Sequence, residues 1–145
     1  MEGKVRPLAI CLFRRGERIL VMEGYDPLKR EQFFRPLGGG IEFGERGQET
    51  VQRELLEEIQ AEAQDIHYLF TLENIFTFNG GRGHEIVLVY DGRLNDESLY
   101  EREVIEGPEY DPFRKAPMRA LWMRVDEFGD GRAILYPGGL LERLG

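Results

Sequence analysis

With 145 residues, 41% of them hydrophobic, the chain can bury one sizeable core, and a single domain over residues 1–145 is expected. Its formal charge of −8 argues against a general nucleic-acid or membrane surface, so a phosphate site here must bring its own cations to invert the local field. One cysteine excludes an internal disulfide, two histidines without a second thiol exclude a zinc site, and no apolar run forms a leader core or approaches the ~18 residues of a membrane span, so a soluble cytoplasmic protein is expected.

In chain order, residues 5–13 predict a strand buried on both faces, with Cys11 as a core thiol. Arg14-Arg15-Gly16-Glu17 signals a turn, and residues 18–22 return as a second strand. Residues 24–31 read as a polar loop. Phe33-Phe34-Arg35 is a short strand that enters three consecutive glycines, Gly38, Gly39 and Gly40, and a helix over 46–60 follows. Residues 64–78 alternate as a strand, Asn79-Gly80-Gly81-Arg82-Gly83 is a turn, and residues 85–90 form a second buried strand that closes a hairpin. Residues 95–117 are acidic, are broken by Pro108, Pro112 and Pro117, and read as a long irregular loop. Residues 119–125 are the last strand. Pro137, with Leu140, Leu141 and Leu144 at helical spacing, starts a terminal amphipathic helix. Strands with one central and one terminal helix packed on them make an α/β protein with a mixed sheet.

The predicted central helix carries the chemistry. At about 100° per residue, Glu54, Glu57 and Glu58 share one stripe beside the apolar residues Val51, Leu55, Leu56 and Ile59. Three carboxylates this close raise one another's pKa and cost stability unless a counter-charge intervenes. Oxygen-only ligands select Mg²⁺, Mn²⁺ or Ca²⁺. Arg53, four residues from both Glu49 and Glu57, can hold a carboxylate in place. The bland alternative is a solvated acidic face, since glutamate is a good helix former.

The spacing decides between them. Gly39, Glu45, Arg53-Glu54-Leu55 and Glu57-Glu58 stand in the register of the Nudix box, and the chain resembles the Nudix hydrolase family over this stretch. At about 7% per fixed residue type, six matches in register arise by chance about once in ten million windows. The lead-in Phe34 to Glu45, Leu121-Trp122 and the segment Tyr136 to Leu141 also look like the family's flanks. One position departs from it. The box's final glycine is Gln60, and it is expected to let the helix lengthen towards Ala63.

The resemblance implies a Nudix-type α/β/α sandwich and metal-dependent hydrolysis of a nucleoside diphosphate linked to another group. Mg²⁺ is the expected cofactor, with Mn²⁺ as a substitute. Glu54, Glu57, Arg53 and Glu106 are the catalytic candidates, and which group takes the proton from water stays open. Glu54, Glu57, Glu58 and a carbonyl of Gly38 are the candidate metal ligands. Arg35, Gly39, Gly40 and His84 are the candidate substrate contacts. By family analogy Glu45 pairs with Arg53 and braces the loop–helix junction. Among the loop carboxylates the order of preference is Glu106, Glu109, Glu103. Subgroup markers, a tyrosine or a proline near Ile75-Phe76-Thr77-Phe78, are missing. Nucleoside triphosphates, ADP-ribose and other sugar nucleotides stay open as substrates. The expected partner is a small nucleotide, without nucleic acid or membrane, and a homodimer is left open. The competing class is a nucleotide-sensing module that does not cleave, which typically lacks box carboxylates that are all present here. A calcium-binding structural domain is disfavoured by the want of an alternating Asp/Asn loop.

Overall fold

A computed structural model describes residues 3–144. Strands β1 (Val5–Leu12), β2 (Arg14–Arg15), β3 (Arg18–Asp26) and β4 (Glu31–Gly40) precede helix α1 (Gly47–Ile59). Then come β5 (Ala63–Phe78), β6 (Gly81–Leu94), a 3-10 turn (Glu97–Glu101), β7 (Val104–Asp111), β8 (Ala116–Arg124), α2 (Val125–Gly129) and α3 (Leu140–Leu144). The sheet order is β5-β6-β1-β4-β3-β8-β7, with β2 paired to β3. The β1–β6 pairing is parallel and the others are antiparallel, so the sheet is mixed.

Side-chain alternation along β1 builds a core on each side of the sheet. Ala9, Cys11 and Phe13 join Leu20, Met22 and Leu37 beneath α1, which contributes Val51, Leu55 and Ile59. Ile10 and Leu12 point the other way, towards Leu140 of α3, and Phe128 of α2 packs with Ile19, Val21 and Phe34. Helices therefore cover both faces, the α/β/α sandwich expected. Each fully buried leucine here, Leu55 among them, stabilises the fold by about 1.5–3 kcal/mol through apolar burial.

Strand β4 shapes the site because it changes partners midway. Glu31 to Pro36 pair with β3, and Leu37 to Gly40 pair with β1. At the changeover the main chains approach closely. Gly38 has φ of 146°, and a Cβ there would run into the carbonyl oxygen of Ala9. Only glycine meets both conditions.

Several expectations are corrected. Strand β1 is buried on both faces only in its second half, since Val5 is exposed. The expected loop over 24–31 shrinks to the turn between β3 and β4. There Asp26 accepts hydrogen bonds from the amides of Leu28, Lys29 and Asn79 at 3.0, 3.2 and 3.1 Å. The helix does not lengthen towards Ala63. It ends at Ile59, and Gln60 itself adopts the left-handed cap conformation at φ 55°, ψ 40°, donating to Leu56 O at 3.0 Å. The rest of the chain imposes this turn because β5 begins at Ala63. The predicted loop over 95–117 is mostly the β7–β8 hairpin. Its prolines mask the alternation, but β7 has β8 as its partner and otherwise forms the sheet's edge, where a missing N–H is tolerated. Helix α2 was not expected from the sequence, and the terminal helix starts at Leu140, three residues after Pro137.

Candidate active site

The glycine run at the end of β4 lies against α1, and each of its residues meets an ionic group of the helix. The Gly38 amide donates to Glu58 Oε1 at 3.0 Å. A Cβ on Gly39 would stand 2.5 Å from the carboxylate carbon of Glu54, so that carboxylate rests on bare backbone. The Gly40 carbonyl accepts from Arg53 Nη2 at 2.9 Å. At Gly39 the helix's Glu54 fills the space a side chain would occupy, whereas at Gly38 the Ala9 carbonyl does and at Gly40 the Arg6 guanidinium.

Arg53 organises the cluster. Its Nε and Nη2 bind the two oxygens of Glu45 at 2.8 and 2.9 Å, and its Nη1 reaches Glu54 at 3.0 Å and Glu57 at 3.4 Å. Thr50 donates to Glu45 at 2.6 Å, and Glu49 accepts from the Arg46 amide at 2.7 Å, closing the first turn of the helix. The Arg53 guanidinium holds the Glu45 carboxyl down at about 2, with help from Thr50. Arg53 in turn is held more firmly protonated, chiefly by Glu45.

The three box carboxylates occupy different surroundings. Glu57 is half exposed, with Arg53 as its ionic partner. Glu54 is partly buried. Desolvation raises its pKa against the pull of Arg53, and the charge of Glu57 raises it further. Glu58 is buried between the Gly38 amide and Arg35, whose Nη2 lies 3.3 Å from Glu58 Oε2. Burial still prevails over those contacts and raises the Glu58 pKa to about 7. Among the described residues no three His, Cys, Asp or Glu side chains already surround a common point. The donor chemistry nevertheless fits a hard divalent cation. The groups are all carboxylate oxygens, Glu54 is raised by Glu57 and Glu58 by Glu54, and a cation would relieve both conflicts.

Beyond the glycines the sheet opens into a cavity of about 300 Å³, bounded at one end by Arg35, Gly38 and Gly39. The other end is framed by Phe33, Phe76, Phe78 and Tyr136, with Asn74 and Glu85 in the wall. Glu54, Glu57, Glu58, Arg53, Gly38, Gly39, Gly40 and Arg35 are brought together. His84 is not among them. It lies in a separate depression with Lys4, Val5, Ile75 and Arg82, while its neighbour Glu85 turns into the cavity, because successive residues of β6 face opposite ways. Glu106 is not among them either. On β7 it opposes Arg119 and alternates with the core residue Ile105, so it faces away from α1. Phe76 and Phe78 line the cavity, whereas Phe34 and Tyr90 are buried in the core. Asn74 and Tyr136 were missed. Strand parity on β5 was the available signal for Asn74, and Tyr136 arrives from the far end of the chain.

This fold and this arrangement define a known class. The family model of the NUDIX domain matches residues 4–142, and the chain belongs to the Nudix family. No curated protein matches it at a significant level. Among solved structures it is similar to a MutT Nudix hydrolase from Burkholderia pseudomallei, with 20% identity, 86% of each chain covered and a TM-score of 0.62. A Nudix hydrolase from Nitrosomonas europaea shares 19% identity over 97% of this chain and 85% of that one, with a TM-score of 0.63. A structure described as an ADP compounds hydrolase shares 19% identity over 86% of this chain but 60% of its own, with a TM-score of 0.54. At these identities the likeness is one of fold.

Proposed function

We propose that the chain is a Nudix-type hydrolase that cleaves a phosphoanhydride in a nucleoside diphosphate derivative and releases a nucleoside monophosphate. The observation that carries this reading is the Arg53-centred carboxylate cluster packed directly on Gly38 to Gly40, at the mouth of a cavity of about 300 Å³. Glu54, Glu57 and Glu58 would hold Mg²⁺, or Mn²⁺ in its place. When bound, the cation offsets negative charge developing on phosphate oxygens and makes water a better nucleophile.

The chain's own residues supply the rest. Arg53 fixes the rotamers of Glu54 and Glu57 and neutralises part of their repulsion. Glu54, whose pKa burial raises, is suited to accept a proton. Arg35 stands at the cavity end beside Gly38 and Gly39, where its guanidinium can receive a phosphate, and the glycines let that phosphate approach the main chain. Among the described residues no helix is long and apolar enough to cross a membrane.

The test is release of nucleoside monophosphate from a panel of nucleoside triphosphates, ADP-ribose and sugar nucleotides, with Mg²⁺ or Mn²⁺ and again with excess chelator. Turnover that survives the chelator refutes the metal assignment. Binding without turnover on any member of the panel favours a sensing module instead.

A further inference from the structure

The cavity's two ends differ in chemistry. Arg35 and the glycine backbone form one end. At the other, Phe33 stands edge-on to Phe78 at 6.0 Å between ring centroids and to Tyr136 at 5.3 Å, and Phe76 is tilted against Tyr136 at 6.5 Å. The rings frame the space rather than fill it, which leaves their faces and edges available to a flat aromatic guest.

Besides Arg35, the charged and amide side chains of the cavity wall are the carboxylates of Asp26, Glu31 and Glu85, the Asn74 amide and the guanidinium of Arg6. Asp26 is already committed to three backbone amides of the neighbouring turns. Glu85 is not saturated. Its side chain is 14% exposed, its Oε1 accepts from Asn74 Nδ2 at 3.3 Å, and Arg6 lies 3.8 Å from its Oε2. An ionised carboxylate accepts about four hydrogen bonds, so capacity is left. Glu31, also in the wall, has no side-chain partner among the described residues. Asn74 is itself buried, and its Oδ1 accepts from the Gly138 amide at 3.2 Å. It thereby ties the segment that carries Tyr136 and Pro137 to β5 and β6. One side chain both closes the aromatic wall and orients Glu85.

We propose that this cavity receives the uncharged heteroaromatic ring of the substrate, and that Glu85, held by Asn74, is its specificity-determining residue, accepting a hydrogen bond from an N–H edge of that ring. The substrate class is a nucleotide whose base carries an amino or imide N–H, with its phosphates lying towards Arg35. This rests on the nucleotide reading above. A ring without such a donor leaves the remaining acceptor capacity of the part-buried Glu85 unused, and a ring bearing an anion meets like charge at Glu31 and Glu85. Asn74 is a positioning residue, acting through Glu85 and Tyr136.

Binding of nucleoside 5′-monophosphates, measured by calorimetry without turnover, tests the proposal. Adenosine monophosphate is compared with purine riboside monophosphate, which lacks the amino group, and guanosine monophosphate with 1-methylinosine monophosphate, which lacks both the amino group and the imide N–H. The wild-type protein is expected to prefer the donor-bearing form by at least about tenfold. Glu85→Ala should bring the preference to within about twofold, and Glu85→Gln, which keeps the volume but loses the charge, should reduce it at least about threefold. A wild-type protein without the preference overturns the proposal. So does a preference that survives Glu85→Ala in a protein with a normal melting transition. If the alanine variant does not fold, an unchanged preference in the glutamine variant overturns it equally. A protein that shows the preference but releases no product with Mg²⁺ keeps this inference and loses the hydrolase reading. One that hydrolyses nucleotides without the preference does the reverse.

Discussion

Arg53 grips Glu45 through two parallel hydrogen bonds, Nε to Oε2 at 2.8 Å and Nη2 to Oε1 at 2.9 Å. Glu45 ends the glycine-rich loop and Arg53 is in the middle of α1, so this one pair fixes the loop against the helix. With its remaining edge the same guanidinium reaches Gly40, Glu54 and Glu57. It thus sets the distance between the carboxylates and the glycine backbone.

Arg53→Lys should therefore be far from conservative. A lysine offers a point charge and cannot span Glu45, Gly40 and Glu54 together. We expect kcat/KM to fall by about 10–100-fold, with weaker metal dependence, while the protein stays folded. Steady-state kinetics across a Mg²⁺ titration, with circular dichroism, checks this. Wild-type rates would show that the fork geometry is dispensable.

Glu54→Gln and Glu57→Gln should each lower kcat by at least about a hundredfold, or ~2.7 kcal/mol of transition-state stabilisation. For Glu57 the melting temperature of the metal-free protein should not drop, since its side chain is 50% exposed and its neighbours are like charges apart from Arg53. A large loss of thermal stability in Glu57→Gln would place that carboxylate in a structural pair.

Glu106→Gln should leave kcat within about twofold of wild type, the range of an ordinary surface change. On β7 the side chain looks towards Arg119, away from the box carboxylates. A fall comparable to that of Glu54→Gln would mean that β7 rearranges when substrate binds.

Glu58 and Glu45 give the metal-free protein opposite pH dependences. Folding depresses Glu45 from 4.5 to about 2, so its contribution is present above pH 4.5 and is lost as pH falls towards 2. Folding raises Glu58 from 4.5 to about 7, so the folded state holds the extra proton, and stability declines as pH rises from 4.5 to 7. Glu58→Gln removes the second effect and keeps an oxygen for Gly38. Its stability should gain on the wild type across that interval, by an amount on the order of 3 kcal/mol once pH is well past 7. Parallel melting curves for the two proteins from pH 4.5 to 7 would contradict the assignment.

Gln60→Gly should stabilise the protein by roughly 0.5–1 kcal/mol, because glycine takes the left-handed cap without a Cβ penalty. Urea denaturation measures it. No gain would mean that the glutamine side chain makes up the strain through contacts of its own.

The local signals in the sequence were strong where chemistry is local. The spacing Gly39, Glu45, Arg53, Glu54, Glu57, Glu58 determined the family, the helix and the carboxylate stripe, because helical periodicity converts spacing directly into proximity. The apolar runs over 5–13 and 85–90 and a turn at Asn79-Gly80 determined most of the sheet. The ends of elements were less legible. Gln60 looked like a helix former, and its left-handed conformation follows from where β5 must begin. The three prolines of 95–117 hid a hairpin in which Pro108 sits on the edge strand β7, Pro112 in the turn and Pro117 at the start of β8.

Tertiary structure alone decided the division of labour among the carboxylates. Glu54 and Glu58 share a helix stripe in the sequence, yet Glu58 is sealed beneath Gly38 by the partner switch of β4, while Glu57 stays in solvent. It also decided which residues face the cavity. Phe33, Asn74, Glu85 and Tyr136 lie on four separate stretches of chain, and the β5–β6 register and the docking of Gly138 on Asn74 bring them together. Spacing along one helix is fixed by covalent geometry and can be read from residue numbers. Contacts between strands depend on register and on which face is buried, which the whole chain settles together.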